Sequence, residues 1–356
     1  MNIRLDWTSL LFALALLAAT PAALATTTHG VGFAAITIHD PVNGSTMPGY
    51  VFYPTSHASA VTEVGPYRVH ATRDAPPLAG ARPLVVISHG HGGSDLDLHH
   101  LAVYLAGHGF VTATLQHPKD NFRDTSGEGT PVVEIGRPIQ VKATISMLLE
   151  NPQWKPLIDP NRVGVVGFSH GGYTALMVVG AVPRFERWAA YCAHHPTATD
   201  LCGTPQQIAM LRNKAGKQKW QAHMAILQKN LTRWGNTDDP RVKAAFVMAP
   251  FSIVFDKAGL ARVNRPVFLY DSRDDHILPL QDNTLRIAPL IKTLVGIRII
   301  PKATHFVFLG SCSPQLTRKA PKICTAPPGV NRVTTQHQIN ADALAFFRKT
   351  LTIPAH

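Results

Sequence analysis

Residues 162–176 read RVGVVGFSHGGYTAL, and no other stretch limits the fold of this chain as sharply. A short run rich in β-branched residues passes into Gly167-Phe168-Ser169-His170-Gly171-Gly172 and leaves at once as a helix-forming pattern. A residue at the tip of so tight a strand-to-helix turn needs neighbours without side chains two positions before and two after it, or the adjoining backbones collide. Ser169 is the residue so carried. Its hydroxyl is expected above the end of a sheet, at the positive end of a helix, as a candidate nucleophile. A bare G-x-S-x-G arises by chance in about one chain in ten of this length. The strand-turn-helix context is what gives the motif weight.

That turn belongs in an alternating α/β chain, and the rest of the sequence supplies one. Apolar, β-rich runs at 31–38, 50–53, 83–88, 110–115, 162–167, 244–249, 266–271 and 296–300 predict eight strands. Helical patterns fall at 96–107, 138–150, 170–182, 280–294 and 340–351. The expected fold is α/β: an eight-stranded, mostly parallel sheet with helices on both faces, its first two strands antiparallel at one edge. About 60 residues, 183–242, break the rhythm and read as an inserted cap. Within it, 205–234 is one helical stretch carrying Arg212, Lys214, Lys217, Lys219, Lys229 and Arg233, with Leu211, Trp220, Met224, Leu227, Leu231 and Trp234 as its apolar stripe. Two readings stand for it: a solvated helix docked on the domain, or a basic amphipathic lid that touches an anionic membrane surface.

A serine hydroxyl needs oxyanion donors, a base and an acid to orient the base. Residues 84–93, LVVISHGHGG, are a hydrophobic strand ending in a glycine-rich turn, which lets main-chain amides approach a developing oxyanion. The backbone amides of His170 and His91 are the expected pair. A metal site using His89 and His91, with His99 and His100 nearby, is the rival reading, but Gly93 and Ser94 stand where a binuclear hydrolase would continue H-x-H-x-D-H. The acid and base of such a fold follow the serine in that order. The strand at 266–271 empties into Asp271-Ser272-Arg273-Asp274-Asp275-His276, where Asp275 is the expected acid and Asp274 and Asp271 are the alternatives. Of 18 histidines, His305 stands directly after the last strand and ahead of the final helix, and it is the expected base. His276 and His117 read as structural or pocket-lining, and Phe168 and Phe306 as substrate-pocket residues.

The N-terminus carries Arg4, an apolar run at 10–19 and then Ala23-Leu24-Ala25, so residues 1–25 read as a secretory signal peptide and 26–356 as the hydrolase-like domain. Its removal takes one base and one acid and leaves the net charge at +12, set by 34 Lys and Arg against 22 Asp and Glu. That balance favours acidic partners or anionic surfaces, while no nucleic-acid-binding motif accompanies it. With 45% hydrophobic and 16% charged residues, neither a disordered polyelectrolyte nor a coiled coil fits. An oxidising compartment, periplasmic or extracellular, makes disulfides the expected state of the four cysteines. Three connectivities are possible, and the local loops Cys192–Cys202 and Cys312–Cys324 are favoured because each pair sits in one irregular segment.

Taken together, these residues resemble the α/β-hydrolase superfamily over essentially the whole mature chain. More narrowly, Tyr53-Pro54-Thr55, SHGHGG at 88–93, GFSHGG at 167–172 and ATHF at 303–306 are similar to the secreted bacterial "predicted dienelactone hydrolase" group, itself similar to the platelet-activating-factor acetylhydrolases. The resemblance implies a serine esterase without cofactor or metal, acting on short-chain or phospholipid-like esters through Ser169, Asp275 and His305; a peptidase or amidase on the same machinery is the alternative. Dienelactone hydrolases proper use a cysteine where this chain has Ser169. The acetylhydrolases take their acid after the sixth strand, where 244–250 offers no Asp, which points to Asp275.

Overall fold

The computed structural model describes residues 28–352 apart from position 212, so the expected signal peptide lies outside the described residues. All eight expected strands form. They are β1 (Gly30–His39), β2 (Thr46–Thr55), β6 (Arg82–Ser88), β7 (Val111–Leu115), β8 (Ile158–Phe168), β9 (Val242–Met248), β10 (Val267–Ser272) and β11 (Leu294–Ile300). A ninth, β5 (Thr72–Arg73), adds two residues beside β1, and β3 (Val61–Val64) with β4 (Tyr67–His70) makes a separate hairpin. The sheet order is β11-β10-β9-β8-β6-β7-β2-β1-β5, parallel from β11 to β7 and antiparallel where β2 meets β7 and β1.

Chain order along the sheet reverses between β6 and β8, since β7 lies on one side of β6 and β8 on the other. In open α/β sheets the crevice beyond the carboxyl ends of such a pair is where ligands bind. Ser88 ends β6 and Phe168 ends β8, so both motifs meet there.

Central strands are apolar on both faces, as parallel strands covered by helices must be. In β6, Leu84 and Val86 join the core against α3 (Gly136–Glu150, after the short α2, Pro131–Glu134) and α4 (His170–Val178). Val85 and Ile87 point the other way, toward α1 (His99–Gly107) and the C-terminal helix Arg332–Thr350, whose Phe346 and Phe347 fill that layer.

Three expectations are corrected. The helix expected over 280–294 is only Thr284–Ile287 plus a 3₁₀ turn, Ala288–Leu290, because Pro289 cannot continue a helix and β11 begins at Leu294. The single cap helix is divided: α5 (Glu186–His194) and α6 (Thr199–Cys202) precede α7 (Pro205–Met210) and α8 (Lys214–Lys229). Asn213 starts α8 afresh by accepting from the Gly216 amide at 2.7 Å. The C-terminal helix begins at Arg332, eight residues before the expected 340. Leu211, Met224 and Leu227 are buried as the stripe requires, and Lys214, Lys217, Lys219, Lys229 and Arg233 are exposed.

Both local disulfides form, Cys192–Cys202 and Cys312–Cys324, as an extracellular or periplasmic protein would carry them. No helix among the described residues is long and apolar enough to cross a membrane.

Candidate active site

Ser169 sits between β8 and α4 with φ 56° and ψ −118°, a conformation a residue bearing a Cβ adopts only where its surroundings enforce it. The enforcement is backbone contact. A Cβ on Gly167 would lie 1.9 Å from the Gly171 carbonyl oxygen, and one on Gly171 would lie 2.0 Å from that of Ser88. The Ser169 amide donates to Met248 at 2.9 Å, and its carbonyl accepts from the Phe251 amide at 3.1 Å, which locks the turn to the end of β9.

From this turn the Ser169 hydroxyl reaches His305 Nε2 at 2.9 Å, and His305 Nδ1 donates to Asp275 Oδ2 at 2.6 Å. Asp275 Oδ1 accepts the amides of Ile277 and Leu278 at 2.9 and 2.8 Å, so both carboxylate oxygens are engaged. All three side chains are buried, and the Phe168 ring packs 4.8 Å from that of His305. The structure thus brings Ser169, His305 and Asp275 into one hydrogen-bonded line.

The alternatives fall elsewhere. Asp274 and His276 are exposed. Asp271 is buried at the end of β10, where burial and the neighbouring Asp275 push its carboxyl up to about 7. His117 is structural: it joins Ser88 Oγ at 2.9 Å to Gln140 Oε1 at 2.7 Å. His89 donates from Nδ1 to the Gly90 carbonyl and accepts the His117 amide at Nε2, and burial together with the Arg137 charge lowers it to about 3. His89, His91, His99 and His100 do not form a common ligand set.

As the first residue of α4, His170 has an amide without an intrahelical acceptor. The His91 amide, in the turn after β6, donates to no backbone carbonyl among the described residues. Both residues line a pocket of about 210 Å³ that opens over Ser169. Its apolar wall is Trp188, Leu201, Phe251, Ile277, Leu278 and Phe306, while Phe168 lines the floor. At the rim, Lys322 Nζ lies 3.7 Å from Asp200 Oδ1 and joins the two disulfide-closed segments.

Sequence reasoning missed a buried polar cluster behind this pocket. Asp120, in the loop after β7, has a fully buried side chain paired with the fully buried guanidinium of Arg137. His91 Nδ1 lies 2.6 Å from Asp120 Oδ1, and His170 Nδ1 lies 3.1 Å from Oδ2. His170 Nε2 faces Glu134 Oε2 at 3.1 Å. Burial would lower His170, but Glu134 and Asp120 outweigh it and raise the ring to about 9. Burial likewise opposes ionisation of Asp120, and Arg137 with the two histidines overturns it, holding the carboxyl well below the usual range. Ligand atoms of His91, Asp120 and His170 lie within 4.8 Å of one another, close enough for a cation. Arg137 and the His170 imidazolium already supply positive charge to the carboxylate there, so the donor set fits a proton-bearing network better than a metal.

No protein-family model matches the chain, and neither does any curated protein. Among solved structures, it is similar to a ferulic acid esterase from Streptomyces cinnamoneus, with a TM-score of 0.58 over 94% of this chain and 92% of that one, at 19% identity. At that identity the likeness lies in the backbone: a mostly parallel sheet flanked by helices, shared from end to end. The chain has the α/β-hydrolase fold.

Proposed function

We propose that the chain is a secreted serine esterase that cleaves carboxylic esters with compact acyl groups. The observation that carries this reading is the line from Ser169 Oγ through His305 to Asp275 at the floor of an apolar pocket. In the reaction, Ser169 Oγ attacks the ester carbonyl carbon while its proton moves to His305 Nε2. The carbonyl electron pair moves onto oxygen, within reach of the His170 and His91 amides. Collapse of this adduct breaks the ester bond, and the departing alkoxide takes the proton from His305. Water then gives a proton to the same nitrogen and adds to the acyl-enzyme; a second collapse frees the acid and returns the proton to Ser169. Asp275 holds the His305 tautomer and stabilises the imidazolium.

A volume of about 210 Å³ lies below the roughly 300–1,000 Å³ of typical drug-sized ligand sites, which supports a short acyl chain over a long one. The N-terminal apolar run and the two disulfides support secretion. The reading is tested by hydrolysis of p-nitrophenyl esters from acetyl to palmitoyl, with Ser169→Ala in parallel and a ferulic acid ester added because of the structural neighbour. The expected result is a maximum at short chains that vanishes in Ser169→Ala. Undiminished turnover in that variant would sink the assignment, and a maximum at palmitoyl would sink the compact-acyl preference.

A further inference from the structure

We propose that Asp120 is a positioning residue for the oxyanion hole, its single carboxylate spanning the two residues whose amides receive the developing charge. The inference rests on the esterase reading above and deepens it.

The geometry is specific to those two residues. Oδ1 of Asp120 lies 2.6 Å from His91 Nδ1 and accepts from the Gly92 amide at 3.0 Å, so it meets the turn after β6 at two points. Oδ2 lies 3.1 Å from His170 Nδ1, on the far side of the hole, and accepts from Arg137 Nη1. Each oxyanion amide therefore belongs to a residue whose own side chain ends on one oxygen of the same carboxylate.

The turn needs such a tether. Gly90, Gly92 and Gly93 have no side chains to pack, and Gly92 sits at φ 61°. Its remaining backbone anchors are the Gly93 amide to Gly90 at 3.2 Å and the Phe122 amide to Gly93 at 2.9 Å. Neither fixes residue 91 relative to α4. An oxyanion hole works by preorganisation: its donors must already point at the position the oxygen will reach. On the opposite side, Glu134 holds the other nitrogen of His170, and Arg137 also donates to the His89 carbonyl and to Ser88 Oγ at 3.1 Å. The carboxylate is thus pinned to the end of β6 while it grips the turn. A purely structural ion pair would need only Arg137; here the same carboxylate also meets both oxyanion residues and the Gly92 amide of the same turn.

The test uses the full chain with wild type, Asp120→Asn, His91→Ala, His91→Asn and Ser169→Ala. Active sites of the variants that keep Ser169 are titrated with a fluorophosphonate, so that unfolded protein does not count, and folded Ser169→Ala is quantified by circular dichroism. The readouts are kcat and KM for p-nitrophenyl acetate and the inhibition constant of phenylboronic acid, which forms a tetrahedral adduct on serine. Asp120→Asn is expected to lower kcat by about 10²-fold, the scale of losing an oxyanion donor. KM should change less than about threefold, with boronate affinity weakened in parallel. His91→Ala is expected to show a smaller loss of the same kind, and His91→Asn, whose amide nitrogen can take the place of Nδ1, to recover most of it. Wild-type kcat and boronate affinity in His91→Ala would overturn the proposal, as would a fall in kcat with boronate affinity unchanged. Should Asp120→Asn fail to fold with Arg137 unpaired, the partly exposed His91 pair decides alone. Full activity in Ser169→Ala would instead defeat the esterase reading; a dead Ser169→Ala beside wild-type-like His91 and Asp120 variants defeats this inference only.

Discussion

Raising the pH from 7 to 9 should weaken the fold through one buried ring. His170 is buried beside Glu134, Asp120, Arg137 and His91, and its value in the folded chain is about 9 against the ordinary 6.5. A group raised on folding contributes stability that is complete below its unfolded value and is lost as pH rises through its folded value. The window is therefore about pH 6.5 to 9. A difference of about 2.5 units at about 1.4 kcal/mol each gives roughly 3 kcal/mol, with the steepest loss near 1.4 kcal/mol per pH unit. The other shifted histidines do not blur the window: burial lowers His89 and His100 to about 3 and lowers His99 and His117 as well, so they weaken the fold only as pH falls below 6.5. Asp271, raised to about 7, has lost most of its contribution by the time His170 begins to titrate. The assay is the urea midpoint by circular dichroism at constant ionic strength, with disulfides intact, for wild type and His170→Asn. The wild-type curve should fall between pH 7 and 9 and the variant's stay nearly level. Parallel curves for the two proteins would refute the assignment of charge to this ring.

Two further substitutions separate neighbouring readings. Gly171→Ala places a Cβ 2.0 Å from the Ser88 carbonyl and 2.6 Å from that of His89, contacts that no rotamer relieves; it should cost about 4 kcal/mol or more and abolish esterase activity, both read against denaturant. Asp275→Asn should lower kcat by about 10⁴-fold by undoing the tautomer of His305, whereas Asp271→Asn, whose Oδ2 has no partner, should change kcat only a few-fold; the reverse order in steady-state kinetics would move the acid to Asp271.

Much of the site was legible because its requirements are local. The glycines around Ser169 answer to backbone collisions within a few residues, and His305 and Asp275 stand at strand ends whose apolar runs announce themselves. Asp120, Glu134 and Arg137 gave no such signal. They meet His91 and His170 only through the packing of α2 and α3 on the sheet, across up to 50 positions of sequence. A faint clue existed: Arg137 interrupts the face formed by Val133, Val141 and Ile145, and a cation in a buried stripe asks for a carboxylate. The helix expected over 280–294 failed for a different reason. The apolar spacing over 280–294 predicts a helix, while in the chain the missing amide and the ring clash of Pro289 prevail.

The two disulfides close short loops with sequence separations of 10 and 12, and each loop contributes to the pocket wall, Asp200 and Leu201 from one and Lys322 from the other. Trp188, which lines the pocket, donates its indole N–H to Leu201 beside Cys202, and Arg332 ties Cys324 and Ile323 to Phe306, the neighbour of His305. The floor that holds Ser169, His305 and Asp275 is built by strands and hydrogen bonds, and the outer wall of the pocket is completed by thiol oxidation, so the two halves mature by separate chemistry. A chain produced in a reducing cytosol would carry a reactive serine beneath an unfinished wall. On the proposed esterase reading it is expected to react with small phosphonates as readily as the oxidised protein while selecting among esters less sharply, and the compartment of expression would thereby become a determinant of measured specificity.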